Sequence, residues 1–147
     1  MEYPEGFDNE RQRLHQFGIC GIVATAIAAN VRFDVAKAAL KRAMHDIYPH
    51  RQRMRAATTY AQRNAALSAL AVRYSELREY MGMSVETFAL DVAEPGKLYM
   101  VCYKGHVFLV KDGSILDQRY KGPVMGWGLF RKRLINRPVI RIDGVGW

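Results

Sequence analysis

"KGHVFLVKDGSILDQRY", Lys104 to Tyr120, decides how the second half of this chain folds. Two short apolar runs meet at Asp112-Gly113, and an Asp-Gly pair between such runs is a strong signal for a two-residue hairpin turn. With the turn there, Lys111 faces Ser114, Val110 faces Ile115, Phe108 faces Asp117 and His106 faces Arg119. Side chains alternate along a strand, so His106, Phe108, Ile115, Asp117 and Arg119 share one face. Asp117 is the diagonal neighbour of His106, and such neighbours lie about 7–8 Å apart at Cα, a gap that long side chains close. Asp112 is excluded, because six residues at ~3.3 Å each put it about 20 Å from His106. The hairpin thus supplies an imidazole that a carboxylate can orient, the back half of a nucleophile–base–orienter arrangement.

Outward from the hairpin, "KLYMVCYKG" before it and "RPVIRID" after it are rich in β-branched and aromatic residues and read as further strands. Pro95-Gly96 marks the turn where this β character begins. Upstream, the chain reads as helical. "CGIVATAIAANV", from Cys20, is small and apolar on all sides, the pattern of a buried helix, with no side-chain N-cap before it. After a break at residues 30–33, Asp34 is the expected N-cap of "VAKAALKRAMHDIY", whose apolar positions include Val35, Ala38, Ala39 and Met44, and Pro49 ends it. A long helix is expected from about Ala56 to Met81, with Tyr60, Leu67, Leu70, Tyr74, Leu77 and Met81 as one stripe and Gly82 as its cap. Ser84 starts a short helix through about Val92. Residues 1 to 17 read as an irregular lead-in. Helices first and antiparallel strands afterwards predict an α+β class.

At 147 residues, half of them hydrophobic, the chain suits one domain with a real core. The two cysteines, Cys20 and Cys102, are too few for a disulfide framework and lack zinc-site spacing, so both read as free thiols in a reducing compartment. His15, His45 and His50 show no metal-ligand spacing. No metal or cofactor is expected. The N-terminus does not read as a secretory signal and no apolar run reaches the ~20 residues that span a bilayer, so a cytoplasmic location is expected.

Cys20 is the better nucleophile candidate. It falls in the first turn of the buried helix, where the helix dipole and a nearby imidazolium favour thiolate. Gly18 and Gly21 leave room for a substrate carbonyl, and the unpaired first-turn N–H groups could receive an oxyanion. Cys102 sits mid-strand among apolar residues, where packing is the natural role.

"CGIVATAIAANVRFDVAKAAL" followed by "GKLYMVCYKGHVFLVKDGSILD" resembles the papain-like cysteine peptidase fold, closest to its small bacteriophage-encoded members. The resemblance rests on Cys20-Gly21, Gly105-His106, Val110, Asp112-Gly113 and Asp117, over about residues 15–45 and 84–118. It implies N-terminal helices packed on a C-terminal antiparallel sheet, a Cys20 nucleophile, a His106 base and an Asp117 orienter, acting on a peptide or protein substrate. It also implies a host-cytoplasmic or virion location. Members of the fold often place an oxyanion-donating Gln about six residues before the Cys. Here that position is Leu14, and Gln16, four residues before, is the substitute donor. The segment at about 46–82 reads as a helical insertion, and residues 121–147 as a basic tail outside the resemblance.

The net charge of +8 and pI near 9.7 suggest an anionic partner. "LFRKRLINRPVIR", with Arg131, Lys132 and Arg133, and "HRQRMR" are the most basic stretches, and Tyr120, Trp127 and Phe130 could stack on bases. A second reading is therefore a catalytically inactive module of the same fold. It would engage a host or virion partner, an acidic protein or less readily a nucleic acid, through this basic face. "GPVMGWG" lacks the Lys-Ser/Thr of a phosphate loop and reads as a flexible rim loop.

Overall fold

An uncharged run of alanine, valine and isoleucine favours a covered position, and the first helix among the described residues, α1 (Cys20–Ala29), is buried along nearly its whole length. As the sequence predicts, it begins without a side-chain cap, at Ile19, and it ends on Asn30 in the left-handed region. The computed structural model describes residues 1–7, 19–51 and 58–145. The second helix, α2 (Phe33–Ile47), starts one residue earlier than expected. Arg32, not Asp34, is its N-cap; Asp34 lies in the first turn and takes an ion pair from Arg32 Nε at 3.0 Å. The Phe33 N–H is satisfied by the Glu5 carbonyl instead. That contact brings in the lead-in, whose Phe7 is fully buried and stacks on Phe33. The buried face of α2 is Phe33, Ala36, Leu40, Ala43 and Met44, so Val35 is exposed rather than inward.

The long helix expected to Met81 is not formed. Helix α3 spans Tyr60–Ala69 and begins with a capping box between Thr59 and Gln62. Ala71 turns the chain with φ +62°, and Val72–Leu77 then runs extended as β1. The positions 70, 74 and 77 fit a helical stripe, but Tyr74 and Leu77 pack in different cores, and the strand's backbone groups are taken by a partner near the C-terminus. Gly82 caps no helix; its N–H donates to Ile135 O. The Ser84 expectation holds: Ser84 Oγ accepts from Thr87 N and opens α4 (Val85–Thr87), which continues as a π-turn over Phe88–Val92.

The remaining strands are β2 (Leu98–Tyr103), β3 (His106–Lys111), β4 (Ser114–Leu116), β5 (Lys121–Pro123) and β6 (Val139–Val145). They form one six-stranded sheet in the order β1-β6-β2-β3-β4-β5, antiparallel at every pairing. The β3–β4 register is the predicted one: Lys111 pairs with Ser114 and Val110 with Ile115, with Asp112 and Gly113 both at positive φ. The fold is α+β, with the sheet covered on both faces. On one, α1, α2 and α3 pack on Met100, Val107, Leu109, Leu116 and Ile140. On the other, Val85, Phe88, Val124, Trp127 and Ile135 pack on Tyr99, Val101, Phe108 and Val110. Residues 121–145 are no appended tail, because they supply β5, two 3-10 turns and the interior strand β6. Among the described residues no helix is long and apolar enough to cross a membrane.

Candidate functional site

The loop between β2 and β3 is another two-residue turn, Lys104-Gly105, with both residues at positive φ. It makes His106 the first residue of β3, paired with Tyr103. Cys20 is the first residue of α1, and α1 packs on β3. Asp117 follows the last residue of β4. These three residues, with Tyr103, Gln118, Arg119 and Phe130, line one cavity of about 310 Å³. A larger cavity of about 550 Å³ lies at the far end of α1, around Ala26, Ile27 and Asn30, and its wall holds no cysteine, serine, threonine or histidine.

The His106–Asp117 pair forms, by a route that differs from the expected one. The β4 ladder stops at Leu116, and Asp117 N–H donates to Tyr120 O, so the chain turns instead of running on opposite His106. Asp117 Oδ2 accepts from the Arg119 backbone N–H at 3.3 Å, a local side-chain turn that fixes the carboxylate. Arg119 is therefore not the cross-strand partner of His106. Asp117 Oδ1 lies 2.7 Å from His106 Nε2, an ion-pair contact when the ring is protonated.

Burial alone would hold His106 neutral, but the Asp117 carboxylate and the hydrogen-bonded Cys20 thiol outweigh it and raise the imidazole to about 9. Burial would likewise push the Cys20 thiol up. The hydrogen bond to His106, the Val107 backbone N–H and the imidazolium charge prevail, and its pKa is lowered. At neutral pH this arrangement can hold a thiolate–imidazolium pair within one cavity, the reactive form of a cysteine.

Behind the thiol lies a feature the sequence reading missed. Arg63, on α3 between Gln62 and Asn64, is 3% exposed. Its Nη1 donates to Thr58 O at 2.8 Å and Thr58 Oγ1 at 3.0 Å, and its Nη2 lies 3.8 Å from Cys102 Sγ. Desolvation lowers the guanidinium pKa, against the pull of the two thiols. Cys102 is buried as expected, and burial raises its thiol, yet it also contacts this cation. Thr58 in turn rests on Gly21, where an added Cβ would meet Thr58 Oγ1 at 2.0 Å. Gly21 thus makes room for Thr58 and not for a substrate carbonyl. The Thr59–Gln62 capping spacing was the signal that could have placed α3, and with it Arg63, against α1.

Gln16, the expected oxyanion donor, and Gly18 and His15 lie outside the described residues, as does most of "HRQRMR". The basic stretch at 131–133 is divided. Arg131 is half-buried, 3.7 Å from Glu86 and bonded to Gly128 O, whereas Lys132 and Arg133 are exposed. Trp127 is buried under Phe130, so it is no free platform for bases, and the "GPVMGWG" rim is built of short 3-10 turns. Among the described residues no group of three or more His, Cys, Asp or Glu side chains is placed to hold a metal ion. Comparison with protein-family models, curated proteins and solved structures finds no match to this chain.

Proposed function

We propose that the chain is a cysteine-dependent hydrolase of papain-like design, acting on an amide or related acyl bond. The observation that carries this reading is the placement of His106 between Cys20 and Asp117 in one cavity, with the thiol pKa lowered and the imidazole raised to about 9. The Cys20 thiolate attacks the acyl carbon, and a sulfur–carbon bond forms as the carbonyl electrons move to oxygen. The His106 imidazolium gives its proton to the leaving amine as the carbon–nitrogen bond breaks, leaving a thioester on Cys20. His106, now neutral, takes a proton from water, whose oxygen attacks the thioester and restores the thiolate and imidazolium. Asp117 keeps the ring oriented and favours its charged form. The first-turn N–H groups of α1 are the described candidates for the oxyanion.

The test is the pH dependence of Cys20 alkylation by iodoacetamide in Cys102→Ser protein, with and without His106→Ala. Fast alkylation well below pH ~8.5, the ordinary thiol value, and its loss in His106→Ala are expected. Slow alkylation indifferent to His106 would overturn the reading.

A further inference from the structure

Arg63 is buried, and among the described residues no carboxylate pairs with it. Taking a charge out of water is costly unless an opposite charge answers it. A guanidinium does not escape that cost by giving up its proton. The nitrogens of Arg63 end on the two segments that hold the Cys20 thiol. Nη1 donates to Thr58 O and Thr58 Oγ1, and Thr58 rests on Gly21, the residue after Cys20. Nη2 meets Cys102 Sγ, and Cys102 pairs across the ladder with Val107, whose backbone N–H donates to the Cys20 sulfur. Burial keeps Cys102 protonated, so Cys20 is the anion within electrostatic reach of the guanidinium.

The thiol site calls for such a charge. A Cys20 thiolate, the His106 imidazolium and the Asp117 carboxylate together carry one excess negative charge, and Asp117, while it holds the ring charged, also opposes the thiolate. The other ionisable groups on the cavity are Tyr103 and Arg119. Burial raises the Tyr103 hydroxyl, so it brings no charge at neutral pH. Arg119 is exposed, where water and salt screen it. Resting on the hydrolase reading, we infer that Arg63 is a positioning residue, a buried counter-charge fixed by Thr58 and Cys102 that lets Cys20 and Asp117 be negative at the same time. It is not part of the cavity wall, so it acts through its field and not by touching a substrate.

The experiment is the pH profile of Cys20 alkylation by iodoacetamide, with both native cysteines kept and each followed separately by peptide mass spectrometry. Wild type is compared with Arg63→Met, Arg63→Gln, Arg63→Lys and His106→Ala. Met replaces the charge by apolar volume, an exchange that buried ionic sites often tolerate. Gln keeps an N–H donor toward Thr58 without the charge and serves if Arg63→Met does not fold, whereas Lys keeps the charge. The expected result is an upward shift of the Cys20 midpoint by about 0.5–1 pH unit in Arg63→Met and Arg63→Gln, short of the 1–3 units that an opposite charge in direct contact gives. Alkylation below the midpoint then slows by roughly three- to tenfold, and Arg63→Lys restores most of the rate. An unmoved midpoint in folded Arg63→Met or Arg63→Gln would overturn the counter-charge. So would an equal shift in Arg63→Lys, which would mean shape and not charge, or a shift confined to Cys102. In each of those cases a low wild-type midpoint that rises in His106→Ala leaves the hydrolase reading standing. An ordinary wild-type midpoint, indifferent to His106→Ala, would overturn both.

Discussion

The Cys20 thiol and the His106 ring share one proton, and the fold decides which of them holds it. Ordinary values are 9.0 for the thiol and 6.5 for the imidazole, so an unfolded chain between those limits keeps the proton on sulfur. The fold lowers the thiol and raises the imidazole, which favours the proton on His106; with the proton there, each state of the pair binds one proton. Stability therefore gains little pH slope from the intact pair. Cys20→Ala removes that balance. His106 keeps the Asp117 share of its upward shift, and a raised folded pKa gives stability that is full below 6.5 and lost as pH rises through the folded value. Loss of the thiol removes one of the groups that raise it and leaves the Asp117 carboxylate. Relative to wild type, the thermal midpoint of Cys20→Ala is expected to fall from about pH 6 to about pH 9, and Cys20→Ala/His106→Ala is expected not to follow it. A Cys20→Ala curve parallel to wild type would show that Asp117 does not hold the ring charged. In turnover, His106→Ala is expected to lower kcat/KM by about 10²–10⁴, the usual worth of a general acid–base group; an unchanged value with any hydrolysable acyl substrate would remove His106 from the mechanism.

The start of α1 cannot take a side chain after the cysteine, because Thr58 already occupies that volume. Gly21→Ala is expected to destabilise the protein by about 1–3 kcal/mol, the range of overpacked sites, and to cost less in a Thr58→Ala background. Additive losses in denaturant titrations of the single and double variants would contradict the contact. Elements of this kind mark the limit of what sequence carries. The β3–β4 hairpin was legible because a two-residue turn fixes register locally, and α1 because an apolar run has no exposed alternative. The His106–Asp117 pair was legible in outcome but not in route, since the turn at Asp117–Tyr120 leaves no periodic trace. Val72–Leu77 was read as helix because its large residues satisfy both periods, and what makes it a strand is pairing with Val139–Val145, far along the chain. Arg63 was illegible because nothing in "YAQRNAA" distinguishes a buried guanidinium from a solvated one; its burial depends on Thr58 and Cys102.

At the scale of the molecule, β6 lies between β1 and β2 and contributes Val139 and Ile140 to the two cores. Deleting residues 139–147 is expected to abolish cooperative thermal unfolding followed by circular dichroism; a truncated chain that still melts in one sharp transition would show that the sheet tolerates the loss. The charge of +8, with Lys132 and Arg133 exposed next to Phe130, has a kinetic counterpart. Labelling of Cys20 by thiol-reactive peptidyl probes with acidic flanks is expected to slow as ionic strength rises from about 0.01 to 0.15 M, where the screening length falls from about 30 to 8 Å. Neutral-flanked probes are expected to show no such trend, and equal salt responses would mean that the basic rim does not steer its ligand.

The interior position of β6 also orders events during synthesis. β1 and β2 are separated by a gap that residues 139–145 alone fill, so a nascent chain that has released Cys20, His106 and Asp117 still has a split sheet beneath them. Such long-range closure is slow, because it pays loop entropy before it gains contacts. The hydrolytic centre proposed here would therefore stay unassembled while the polypeptide is still being made, and a growing chain would be spared a reactive thiolate until Val145 clears the ribosome.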